Sequence, residues 1–159
     1  MRHTVSVLVA NEAGVLARIA SLFSRRGFNI DSLSVSKTER DDISRITLVV
    51  EGDNKVLEQL TKQLNKLIVV HKTSNLTNDP IVGRDLALIK VTSTQNTRSE
   101  IMQIVDIFRG KIVDVASNSI MVEVTGDEDK INAIEKLLEP FGIKELVRTG
   151  KVAMVRGQK

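Results

Sequence analysis

Apolar and polar positions alternate along "HTVSVLV", where Val5, Val7 and Val9 stand against Thr4, Ser6 and Leu8. That is the period of a strand with one buried face. From Val15 the period lengthens. Leu16, Ile19, Leu22 and Phe23 share one helical face, and Gly27 stands where a helix usually stops. Alternation returns in "FNIDSLSVSKT", "ERDD" is turn-like, and "ISRITLVVEG" predicts a third strand with Ile46 and Leu48 as its clearest apolar pair. "GDNKVLEQLTKQLNKLI" sets Leu57, Leu60, Leu64 and Leu67 on one stripe of a second helix, with Asp53 or Asn54 as its cap. "VVHKTSNL" predicts a fourth strand. The order is β-α-β-β-α-β, the ferredoxin-like arrangement.

The Asn, Asp, Pro and Gly of "TNDPIVGRD" break the pattern and read as a linker. Then the order recurs. "LALIKVTST" predicts a strand, and "TRSEIMQIVDIFRG" a helix with Ile101, Ile104, Val105 and Phe108 inward, Thr97 as cap and Gly110 as stop. "KIVDVAS" and "SIMVEVTG" predict strands meeting at Asn118, "DEDKINAIEKLLEPFG" a helix, and "IKELVRTGKVAMVRG" one or two last strands. Gly27 corresponds to Gly110, and "EGD" before Asn54 to "TGD" before Glu128. The reading is an α+β chain of two tandem ferredoxin-like domains, residues 1–77 and 86–159, joined by a linker over 78–85. Each small sheet leaves an edge strand to cover, so a homodimer is expected.

Composition narrows the function classes. Hydrophobic residues make up 42% of the 159 and aromatic ones 3%, so the core is built from Val, Ile and Leu. The absence of cysteine excludes disulfides and thiolate metal sites and fits a reducing compartment. No apolar run approaches the roughly 20 residues of a membrane-spanning helix. The opening "MRHTVSVLVANEAG" reaches a polar loop too early for a secretory core, so a cytoplasmic protein without a membrane role is expected. The net charge of +3 is mild, and "SRRGF" and "RTGKVAMVRGQK" read as solvated surface charge rather than a nucleic-acid footprint. An RNA-binding domain of this order stacks bases on aromatics of its central strands, and "TVSVLVA" and "SRITLVV" have none.

No catalytic constellation is legible. Ser21, Ser24 and Ser36 have no neighbouring His. His3 and His71 are either a pair joined by strand adjacency or two partly exposed strand residues. Asp41 and Asp42 are either a cation site or a solvated turn. Glu12 and Asp31 are either a carboxylate pair, since the first loop and the start of the second strand are expected to be neighbours in this fold, or surface acids.

The loop "NEAG" remains. Gly14 lets a ligand or another backbone come close. It precedes a helix whose first N–H groups, near Val15 and Leu16, have no intrahelical partner and suit a carboxylate. Asn11 and Asn29 add amides that both donate and accept. With Val15, Leu16 and Ile30 as apolar neighbours, these groups describe a receptor for a free apolar amino acid. The alternative is that Gly14 eases the strand-to-helix turn and Asn11 fixes it.

"NEAGVLARIASLFSRRGFNIDSLSV" resembles the signature of the small, regulatory subunit of acetolactate synthase, and the first domain resembles an ACT domain. The likeness continues through "SRITLVVEGD", "VLEQLTKQLNKLI", "RDLALIKV", "IFRGKIVDV" and "VRTGKVAMVRG" and covers nearly the whole chain. Asp31 stands where Glu is equally familiar, and "SKTERDD" departs from the family's loop. The opening residues predict no transit segment, so the bacterial form is expected.

The resemblance implies a non-catalytic chain that activates a large catalytic subunit and confers feedback inhibition by valine in branched-chain amino acid biosynthesis. It places thiamine diphosphate, magnesium and FAD on that large subunit, which condenses pyruvate with a second 2-oxoacid, and none on this chain. It also implies an effector site between two N-terminal domains, with Asn11, Gly14, Val15 and Leu16 from one chain and Asn29 and Ile30 from the other.

Overall fold

A computed structural model describes residues 1–157. The chain forms two compact units, one from Met1 to Val82 joined by the chain from Lys151 onward, the other from Gly83 to Gly150.

The first unit begins with β1 (Arg2–Ala10), α1 (Val15–Arg25), β2 (Asn29–Lys37), β3 (Ile43–Glu51), α2 (Asn54–Leu64) and β4 (Val70–Asn75). Its sheet has the order β2-β3-β1-β4, with every neighbouring pair antiparallel. The alternation predicted for β1 puts Val5, Val7 and Val9 into a core with Ile46, Leu48 and Val50 of β3. Ile19 and Phe23 of α1 and Leu57, Leu60 and Leu64 of α2 close that core from one side. Asp53 caps α2, its carboxylate accepting from the backbone N–H groups of Lys55 and Val56. Leu67 lies beyond the end of α2 and packs against the core from the following loop. Gly27 takes φ +84 just past α1, where a side chain is disfavoured.

The second unit repeats the design with β5 (Ile81–Thr92), α3 (Arg98–Ile107), β6 (Lys111–Val115), β7 (Ser119–Gly126), α4 (Glu128–Leu138), a 3-10 turn (Glu139–Phe141) and β8 (Ile143–Arg148). Its strand order β6-β7-β5-β8 matches the first sheet position for position. Asp127 caps α4 as Asp53 caps α2. The glycine before each cap is crowded: a Cβ on Gly52 would strike the Phe28 ring, and one on Gly126 the Lys130 side chain. Two tandem ferredoxin-like folds are therefore present.

The division of the chain differs from the sequence reading in two places. The expected linker over 78–85 is strand from Ile81 onward. The last strand, β9 (Val152–Val155), pairs with β5, and its segment belongs to the first unit. The Pro80 carbonyl accepts from Arg156 N–H at 2.8 Å, so the Pro-Gly segment that looks like a linker gains a strand partner from far along the sequence.

Gly110 is not the residue that turns the chain after α3. Arg109 holds the left-handed conformation at φ 56. Gly110 is required for space instead, since a Cβ there would lie 3.1 Å from the Glu123 carbonyl oxygen and 3.2 Å from Val105 Cγ1. Thr97, expected as the cap of α3, makes no side-chain cap bond of that kind. It exchanges bonds with Thr94: Thr94 N–H donates to Thr97 Oγ1 at 2.9 Å and Thr97 N–H to Thr94 Oγ1 at 3.3 Å.

Candidate effector site

The loop from Asn11 to Gly14 is held from behind. Ala10 N–H donates to the Val69 carbonyl at 2.7 Å, and Asn11 N–H to the Asp42 carbonyl at 2.9 Å. The Asn11 side-chain amide donates to the Asp41 carbonyl at 3.0 Å, while its Oδ1 accepts from the Ser44 hydroxyl at 3.1 Å. Asn11 thus ties the first loop to the turn before β3. Both ends of its side chain are engaged within the chain, as the turn-fixing alternative requires.

Gly14 occupies the position before α1 with φ 83 and ψ −11, and no side chain caps the helix. A Cβ added there would meet nothing within 4 Å. No side-chain oxygen therefore caps the N-terminal N–H groups of this 11-residue helix. In the second unit the corresponding turn is closed by the Thr94–Thr97 exchange. Val15 is buried in the core, and Leu16 is 37% exposed beside the opening.

Asn29 and Ile30 lie elsewhere. Asn29 stands opposite Glu51, which also faces Arg2, so both mark one end of the sheet. Asn11 follows Ala10, which faces Ile43 at the other end. A nine-residue strand rising about 3.3 Å per residue separates those ends by roughly 26 Å. The six candidate residues thus form two groups, Asn11, Gly14, Val15 and Leu16 against Asn29 and Ile30, which one chain does not bring together. Glu12 and Asp31 are separated in the same way, which overturns the expectation that the first loop and the start of β2 are neighbours.

Asp31 has local partners, the Asn29 amide at 2.7 Å and Arg2 Nε at 3.3 Å. The Asn29 side chain is thus oriented by Asp31, two residues on at the β2 bulge. The sequence held a signal for this in the "NID" spacing, which places an amide and a carboxylate two residues apart.

The remaining candidates resolve one by one. His3 is not partly exposed but 1% exposed; its Nε2 lies 3.3 Å from the Gly52 carbonyl, and its Nδ1 is buried with no bonding partner. The expectation failed because His3, the second residue of β1, lies beside Gly52 and the chain start, where Gly52 N–H donates to the Met1 carbonyl. His71 is exposed. Asp42 pairs with Arg40 at 3.2 Å in the turn. Arg148, read as solvated, bonds Asp85 through Nη2 at 2.8 Å and Nε at 3.1 Å. Among the described residues no group of three or more His, Cys, Asp or Glu could hold a metal ion. Also among them, no helix is long and apolar enough to cross a membrane.

Comparison with known proteins gives a consistent picture. A family model for the small subunit of acetolactate synthase matches residues 84–157. A model for the small-subunit-like ACT domain of the same enzyme, under its name AHAS, matches residues 5–72. A relative from Archaeoglobus fulgidus is 59% identical, covering 100% of the chain and 99% of the relative. Relatives named acetolactate synthase small subunit include one from Aquifex aeolicus at 56% identity, covering 98% of the chain and 81% of the relative. The crystal structure of the acetolactate synthase small subunit from Thermotoga maritima matches with a TM-score of 0.90 and 42% identity, covering 100% and 99% of the two chains.

Proposed function

The chain belongs to the family of acetolactate synthase small subunits, and from that premise we propose that it is a regulatory, non-catalytic subunit serving branched-chain amino acid biosynthesis. It activates a large catalytic subunit and makes it sensitive to valine. Thiamine diphosphate, magnesium and FAD are assigned to that large subunit.

The observation that carries the effector site is the pairing of an open helix N-terminus at Gly14 with an unpaired strand edge. β2 is the end strand of its sheet. Its edge and the adjacent helix present apolar side chains, with Val35 41% and Leu16 37% exposed. Two copies of β2 running antiparallel cover both edges. That pairing sets the start of one β2 beside the end of the other, where Lys37 faces Ser44 and Asn11 bonds Ser44. The roughly 26 Å that separates the two residue groups within one chain is then bridged across the dimer. Asn29 and Ile30 of one copy approach the Asn11–Leu16 loop of the other.

A valine carboxylate fits the free N–H groups at the start of α1, where the helix dipole favours negative charge. Backbone carbonyls and the Asn29 amide oxygen can receive the ammonium. Leu16 and Ile30 suit its isopropyl group. No group for a chemical step is needed, because the ligand is bound and released unchanged.

Calorimetry of the full chain against valine, leucine and isoleucine tests the site, and the catalytic subunit assayed with and without the chain tests the role. Heat of binding at one site per chain and a rise in acetolactate formation are expected. No heat with any of the three amino acids would remove the effector site, and an unchanged rate would remove the activating role.

A further inference from the structure

Among the described residues β6 ends the second sheet as β2 ends the first, an edge of the same design. Val35 of β2 faces Ile46, which faces Val7; Val115 of β6 faces Ile120, which faces Val91. On the adjacent helices, exposed Leu16 follows buried Val15, and exposed Met102 follows buried Ile101. The second edge is the more apolar of the two. Val115 is 53%, Val113 48% and Met102 43% exposed, and α3 packs beside β6. A lone exposed apolar residue needs no account, but three on one edge strand and its flanking helix form a patch that calls for a partner.

The charges on β6 select that partner. A bulge between Ile112 and Asp114 puts Lys111 opposite Glu123 and Asp114 opposite Met121, two positions that alternate with buried Val122. Lys111 and Asp114 therefore share the face turned away from the helices. Two copies of β6 running antiparallel, with Ile112 opposite Val113, set Lys111 opposite Asp114 twice over. A charge pattern symmetric about the strand's own centre is complementary to itself, as an isologous contact requires.

We infer that the β6–α3 edge is a self-association surface whose occupant is β6 of a second copy of this chain. The inference goes beyond the effector reading and stands without it, since it involves no residue of the valine site.

The chain has no cysteine, so Val113→Cys introduces its single thiol. In the register above, Val113 lies next to the two-fold axis. Adjacent strands about 4.8 Å apart and one step of about 3.3 Å separate the two copies of residue 113 by about 6 Å, within reach of a disulfide. Val147→Cys, 55% exposed on the opposite edge strand β8, is the control. Mild oxidation of the full-length variants is expected to cross-link position 113 and leave position 147 free.

Charge reversal is the second measurement. Lys111→Glu is expected to slow cross-linking at position 113 about tenfold, through two lost ion pairs and two new repulsions. Adding Asp114→Lys in the same chain is expected to restore it. Position 113 cross-linking no better than 147, or no restoration in the double variant, overturns the inference. So does loss of activation of the catalytic subunit by Lys111→Glu with cross-linking at position 113 unchanged, which would give the edge to that subunit. Valine binding is followed in the same samples, where its absence would count against the effector site and leave this surface standing.

Discussion

Asn11 and Asp41 are 30 residues apart in sequence, yet the amide of one donates to the backbone carbonyl of the other at 3.0 Å. With the Ser44 hydroxyl on its Oδ1, that side chain fixes where the loop before α1 lies. Asn11→Ala removes two side-chain hydrogen bonds at an exposed site, each contributing about 0.5–1.5 kcal/mol net. A loss of about 1–2 kcal/mol in urea unfolding is expected, together with weaker valine binding because the loop is no longer held. Unchanged valine affinity with the stability loss present would show that loop order is not part of the site.

Much of this was legible because it is local. Asp53 and Asp127 cap their helices, Gly27 turns the chain, and the period-two runs bury Val5, Val7 and Val9, all within a few residues of the signals that announce them. The loop of the candidate site was legible for the same reason. What could not be read depends on distant pairing. β9 belongs with the first unit because Arg156 meets Pro80. His3 is buried because the chain start and Gly52 fold over it. Glu12 and Asp31 seemed near because adjacency in element order was taken for adjacency in space, while the register puts them at opposite sheet ends. Arg109 taking the left-handed turn beside an available Gly110 reflects crowding from Glu123 and Val105, which no local pattern encodes.

That last pair gives a stability test. Gly110→Ala forces a methyl to within 3.1 Å of a backbone carbonyl that the β6–β7 pairing holds in place. A loss of about 1–3 kcal/mol is expected, in the range for overpacking. Arg109→Gly removes a left-handed side-chain residue, whose cost is roughly 1–2 kcal/mol, and is expected to be neutral or slightly stabilising. Thermal unfolding of both variants decides the matter, and the reverse order of stability would refute this account of the turn.

Asp85 is 8% exposed and accepts from Arg148 Nε and Nη2 and from the Thr149 hydroxyl. Asp85→Ala leaves a guanidinium that, among the described residues, keeps only its bond to Asn132. Breaking a buried pair typically costs about 3–5 kcal/mol. The Arg148 side chain is 25% exposed, so water recovers part of the loss, and about 2–3 kcal/mol is expected here. Asp85→Asn, which keeps an acceptor, should lose less. Equal unfolding midpoints for the two variants would show that a neutral acceptor at position 85 contributes nothing, and midpoints equal to that of the unaltered chain that the charge and its hydrogen bonds contribute little.

Gly14→Asp separates effector response from activation. Nothing lies within 4 Å of the position a Cβ would take, so the fold has room for the side chain. Asp tolerates a positive φ better than most residues, which limits the backbone strain. Its carboxylate would stand at the helix N-terminus, where the valine carboxylate is placed, and would satisfy the same N–H groups. Loss of valine inhibition with activation of the catalytic subunit kept is expected. Inhibition at an unchanged valine concentration would rule out this pocket.

Valine is expected to act by shifting a conformational equilibrium rather than by competing with pyruvate. The proposed site lies on a different polypeptide from the thiamine diphosphate assigned to the large subunit, and half of it would come from each copy of the chain. The open start of α1 and the Asn29–Asp31 segment must approach for the ligand to touch both, so valine favours pairings of β2 in which they do. The shift cannot exceed the difference in valine's affinity for the two states. Coupling of this kind is usually about 1–3 kcal/mol, or roughly 5- to 150-fold, which gives partial inhibition at the lower end. Linkage makes the effect reciprocal, so the catalytic subunit must change the affinity of the chain for valine by the factor by which valine changes their association. Valine is titrated by calorimetry with and without the catalytic subunit, and initial rates are measured across pyruvate concentrations. A changed valine affinity and inhibition that persists at saturating pyruvate are expected. Identical affinities in the two titrations, with inhibition fully relieved by pyruvate, would overturn the mechanism.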